Sequence, residues 1–147
     1  MSDSLHGETS STRPHQRLDV WRDAMDLVVL VYALCAYLPD SERFALSQQL
    51  RKAAVSVPSS IAEGAARRST LEYLRFLAVA RGSLAELDTQ LELARRLFQL
   101  NPSPELKQTL NRTYIRLNAQ IRALEARIAE DPEDYSLAGC ESRIPNP

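Results

Sequence analysis

Between Thr70 and Leu100, the apolar residues Tyr73, Leu77, Ala80, Leu84, Leu87, Leu91, Ala94 and Phe98 follow one another at alternating steps of four and three. That spacing holds one stripe of a helix against a partner over several heptads. It fits no strand, where every second side chain changes face. A second strip of the same segment (Leu71, Leu74, Ala78, Ala85) is also apolar. A helix apolar on more than one side belongs at the centre of a bundle or an assembly.

Three further segments carry helical spacing. Val20, Ala24, Leu27, Val31, Leu34 and Leu38 form a strict heptad seam, which Trp21, Val28, Tyr32 and Cys35 widen before Pro39 stops it. The second segment carries Phe44, Leu46, Leu50, Ala53, Ala54, Val57 and Ile61, with Ser41 as its expected N-cap and Glu42 in its first turn. The last carries Leu106, Leu110, Leu117, Ile121, Leu124 and Ile128, after the turn Asn101-Pro102-Ser103-Pro104. The predicted helices cover about 19–38, 41–66, 70–100 and 103–129. Short connections between long helices predict an all-α, antiparallel, up-down-up-down four-helix bundle over 18–130. A leader (1–17) and an acidic, proline-containing tail (131–147) lack periodicity and are expected to be disordered.

At 147 residues the chain has the length of one domain. It contains no apolar run of about 18 residues, so no membrane partner is expected. Cys35 and Cys140 form no disulfide framework and read as reduced thiols of a cytoplasmic protein. The net charge of −1 hides an asymmetry. Residues 17–129 carry 16 Lys and Arg against 12 Asp and Glu, a net of +4, while the flanks carry 2 Arg against 7 acids, a net of −5. The helical part is mildly basic and the tail acidic.

Much enzyme chemistry is excluded by residue type. His6 and His15 both lie in the leader, which leaves the helices without an imidazole base, a Ser-His or Cys-His nucleophile, or a Glu-x-x-His metal motif. No Cys-x-x-Cys pair and no glycine-rich phosphate loop occurs. Glu63, Glu86 and Asp88 read as members of an ion-pair network rather than as metal ligands. The expectation is a non-enzyme with no metal and no cofactor.

The stretch from Ser56 to Arg68 breaks the helical chemistry. Pro58 is expected to kink or bound its helix, Ser56, Ser59 and Ser60 to offer hydroxyls to carbonyls, and Gly64 either to admit a neighbouring backbone or to let the chain leave the helix. Facing it, Ala80-Arg81-Gly82-Ser83 and Glu86 interrupt the next helix. Ser56, Ser60, Glu63, Arg81, Ser83 and Glu86, together with Arg51, are expected to form a partly buried polar network that fixes register. Arg51, Lys52, Arg67, Arg68, Arg75 and Arg81 offer a basic surface for phosphates, which Arg112 and Arg116 extend at i,i+4.

These segments in combination resemble the 23S ribosomal RNA intervening-sequence protein family. The resemblance is carried by Val20-Trp21 followed by Ala24-Met25, by the run from Ser56 through Pro58 and Ile61 to Glu63-Gly64, and by Ala80-Arg81-Gly82-Ser83 followed by Glu86. It covers about Leu18 to Ile128. The family pattern has Asn where this chain has Ser60, and a hydroxyl makes fewer hydrogen bonds than an amide. The resemblance implies a four-helix bundle assembled as a ring-shaped homopentamer, without catalytic activity. Related accessory proteins of diversity-generating retroelements form similar rings whose basic surface engages nucleic acid and a reverse transcriptase.

Two functional readings follow. One is a non-catalytic, oligomer-forming accessory factor that binds RNA or DNA through its basic residues. The other is an assembly module that docks a protein partner and binds no nucleic acid.

Overall fold

The computed structural model describes residues 13–131. Its elements are α1 (Asp19–Cys35), α2 (Leu46–Ala65), α3 (Thr70–Phe98) and α4 (Pro104–Glu130), with 3-10 turns at Pro14–Arg17 and Asp40–Glu42. No strand occurs among the described residues. Nearly all of the expected leader and tail lie outside them. The exceptions are Asp131, which caps the end of α4, and the stretch from Arg13 to Arg17, where the expected disordered leader instead carries a 3-10 turn (Pro14–Arg17) packed on α1 and α2.

The helix ends follow from local chemistry. Ser69 caps α3 by accepting the Glu72 N–H at 3.1 Å, and Ser103 caps α4 by accepting that of Leu106 at 3.1 Å. Pro104 opens α4, where its missing N–H is of no consequence. At the other end of α3, Gln99 turns left-handed (φ 52°) and the Leu100 N–H reaches back to the Ala94 carbonyl.

The start of α2 departs from the sequence reading. Ser41 caps nothing: it lies within a 3-10 turn, and α2 begins four residues later than Glu42 at Leu46. The Glu42 carboxylate accepts the Leu46 N–H at 3.1 Å and takes the role expected of the serine. Nor does Pro58 end its helix, since α2 runs through it to Ala65.

The four helices pack in a closed cycle. α1 lies against α2 and α4, α3 lies against the same two, and neither α1 and α3 nor α2 and α4 approach each other. The seams read from the spacing meet at the centre, where Leu27, Leu50, Ile61, Leu77, Leu84, Leu87, Leu106 and Leu117 are fully buried. Burying each such side chain contributes about 1.5–3 kcal/mol, before the entropy of ordering is set against it. No helix among the described residues is long and apolar enough to cross a membrane.

Candidate functional site

The α2–α3 seam is built for close approach. A Cβ placed on Gly64 would lie 2.8 Å from Tyr73 Cδ2 and 2.9 Å from Phe76 Cβ. Gly64 therefore serves to admit the neighbouring helix, and its φ is not in the left-handed region. Farther along the seam, Ser56 Oγ and Ser83 Oγ lie 2.7 Å apart. The Ser83 hydroxyl donates to the Val79 carbonyl at 3.1 Å, so its single proton is committed and Ser56 is the donor between the two serines. Ser60 is buried on the same helix as Ser56.

The charged part of the expected network is not built in this way. Glu63, Arg81 and Glu86 are all exposed, and no ion pair joins them among the described residues. The helical repeat carries them off the buried seam onto its outer side, where water solvates them at less cost than an enclosed pair would require.

The basic candidates separate into two groups. Lys52, Arg67, Arg68 and Arg75 are exposed and have no carboxylate within ion-pair distance among the described residues. Arg67 lies over the Phe76 ring at 4.8 Å, beside the Gly64 contact and next to Arg68 at the α2–α3 turn. Arg51 is partly buried, donates to the Arg43 carbonyl at 3.3 Å and lies over the Tyr32 ring at 5.9 Å.

Arg112 and Arg116 do share a face of α4, and that face is turned to α1. Arg112 Nε donates to Asp23 Oδ1 at 3.0 Å, and Arg116 Nη1 donates to Asp23 Oδ2 at 2.6 Å. Asp23 is the one buried charge among the described residues, its side chain 7 % exposed, whereas the two arginine side chains are 45 % and 43 % exposed. One carboxylate thus holds two guanidiniums and leaves a net positive charge at the surface. Sequence reasoning finds both arginines and misses Asp23. The aspartate stands beside Ala24 in the α1 seam, and a charge next to an apolar seam is the signal that could have found it.

The ionisable groups report the same surroundings. Burial pushes the Cys35 thiol up, partly offset by the nearby Arg51. Burial raises Tyr73 as well, against the hydrogen bond that Gln120 Nε2 donates to its hydroxyl at 3.4 Å. On the surface, hydrogen bonds from Arg95 and then Arg96 hold Glu92 down to about 2. The described residues contain no group of three or more His, Cys, Asp or Glu placed to hold a metal ion. His15 sits outside the four helices, edge-on to Trp21 with ring centroids 5.0 Å apart.

By its fold the molecule is an all-α four-helix bundle. The chain belongs to the 23S rRNA-intervening sequence protein family, which matches it over residues 16–125. No curated relative matches the chain.

Proposed function

We propose that the protein is a non-catalytic, self-assembling bundle that acts in the cytoplasm as a nucleic-acid or ribonucleoprotein accessory factor. The observation that carries this reading is the set of unneutralised cations around the α2–α3 turn. Arg67, Arg68 and Arg75 are exposed, and no carboxylate pairs with them among the described residues. A polyanion supplies the missing countercharge and gains entropy from the ions it releases. The family's name refers to ribosomal RNA inserts, which fits an RNA setting without naming a ligand.

The same proposal takes the helices as antiparallel, up-down-up-down. Support comes from contacts that pair early with late positions. Cys35 Sγ at the end of α1 lies 3.8 Å from the Ser47 carbonyl near the start of α2, and Tyr73 near the start of α3 meets Gln120 in the second half of α4.

Assembly, as the proposed homopentamer, is supported by apolar side chains that the protomer leaves in water. Met25, Val29 and Tyr32 on α1, Val55 on α2, and Val79, Leu93 and Leu97 on α3 are all exposed. The same surface favours the alternative reading, a module that docks a protein partner and binds no nucleic acid.

Light scattering on nuclease-treated protein, with binding of a labelled RNA hairpin and the matching DNA duplex, separates the two. A stable oligomer that binds either probe supports the accessory-factor reading. A stable oligomer that binds neither at low salt leaves the docking module, and a monomer contradicts the assembly.

A further inference from the structure

Asp23 commits a buried carboxylate to two arginines that could each have stayed in water, and the place where one of them emerges is chemically specific. A cleft of about 360 Å³ opens between the start of α1 and the second half of α4. It is lined by Arg17, Leu18, Val20, Arg116, Ala119 and Gln120. Arg116 enters it already held by Asp23 at 2.6 Å, which occupies one of its nitrogens and leaves N–H groups to spare. Arg17 is exposed and has no carboxylate within ion-pair distance among the described residues. The acid that shares the cleft, Asp19, is engaged by Arg22 at 3.4 Å. Leu18, Val20 and Ala119 supply its apolar walls.

Arg112, the other arm of the cluster, is placed differently. Its cleft also contains Asp26 and Glu105, so an anion there meets two carboxylates. The asymmetry selects the Arg116 side.

We propose that the Arg17–Arg116 cleft seats a phosphodiester of a nucleic-acid backbone. Arg17 and Arg116 are the contacts and Asp23 is the positioning residue. Guanidinium forks match the paired oxygens of a phosphate, and an arginine that is already fixed loses less rotamer entropy on binding. This assignment rests on the nucleic-acid reading above and adds to it a second set of contacts at the same end of the bundle, where Gln120 of the cleft donates to Tyr73 near the start of α3.

The test is binding of a labelled RNA hairpin, and of its DNA counterpart, to the full chain across a range of salt concentrations. Arg17→Gln, on an exposed turn, is expected to weaken binding about fivefold and to flatten the log–log salt dependence by about one unit, the signature of one phosphate no longer neutralised. Asp23→Asn gives the readout that charge alone cannot mimic. It makes the protein more positive, so a diffuse field tightens binding, whereas a held-arginine site loses affinity. Weaker binding by folded Asp23→Asn supports the positioning role, and tighter binding overturns it. Should that variant not fold, Arg17→Gln still decides whether the cleft is used. Unchanged affinity and salt slope in Arg17→Gln, with binding by the parent protein intact, overturn the cleft and leave the general reading standing. No binding by the parent protein overturns both. The RNA and DNA arms tell which backbone the cleft prefers.

Discussion

Gly64 and Phe76 are in contact across the α2–α3 seam at a distance that leaves no room for a methyl group. A Cβ on Gly64 would fall 2.9 Å from Phe76 Cβ, an atom tied to the α3 backbone and unable to turn aside. Gly82, by contrast, has nothing within 4 Å of its would-be Cβ. The same substitution is therefore expected to act in opposite directions. Gly64→Ala gains helix propensity of about 1 kcal/mol but overpacks the seam, with a net loss of about 1–2 kcal/mol. Gly82→Ala keeps the propensity gain of about 0.5–1 kcal/mol and is expected to stabilise. Urea midpoints of the two variants check this, and a stabilised Gly64→Ala contradicts the close approach.

The Asp23 cluster carries a second asymmetry. Removing the aspartate frees two arginines that can swing into water, whereas removing both arginines strands a buried carboxylate. Arg112→Ala with Arg116→Ala is expected to cost about 3 kcal/mol or more, and Asp23→Ala about 1–2 kcal/mol. Thermal melts at one ionic strength give the order. Equal losses, or the reverse order, contradict the burial of Asp23.

Acid titration has a predictable sign at Glu92. Its folded value, about 2, lies below the ordinary 4.5, so its contribution to stability is present above that ordinary value and is lost as pH falls towards 2. Because Glu92 and its arginines are at the surface, salt screens the effect. Glu92→Gln is expected to shallow the acid limb of the stability curve slightly in low salt and not at all in high salt. An acid limb unchanged at low salt contradicts the pairing.

Cys35 is buried, and burial raises its thiol above the ordinary value, so the reactive thiolate is scarce in the folded state. In a Cys140→Ser background, which isolates this thiol, labelling by a disulfide reagent at pH 8 is expected to be slow in the native protein and fast in urea. Equal rates in both conditions contradict its placement.

Much of the core is legible in the spacing of apolar residues. Periodicity assigns Ala24, Leu27, Val31, Leu77, Leu84, Leu87 and Leu117 to their seams, and all are buried. Gly64 reads either as a close approach or as an exit from the helix, and only the packing of Tyr73 and Phe76 against it shows the close approach, with α2 ending one residue later at Ala65. Tertiary pairing is not legible. Asp23 meets Arg112 and Arg116 across 89 and 93 residues of chain, and no local pattern encodes that meeting. Glu63, Arg81 and Glu86 read as inward because they flank small residues, but a turn of 3.6 residues moves a flank off the seam quickly. At the start of α2, Ser41 reads as the cap and Glu42 as a first-turn acid, but the helix begins at Leu46, where the Glu42 carboxylate accepts the first N–H.

The central claim is that the unpaired arginines at the α2–α3 turn meet phosphate, and the salt dependence of binding tests it most directly. Binding of a labelled RNA hairpin should fall linearly with salt on a log–log scale. Arg67→Glu with Arg68→Glu should weaken it and reduce the slope by about two, one unit for each phosphate left unneutralised. Binding that is absent at low salt, or that holds its affinity as salt rises, contradicts the account.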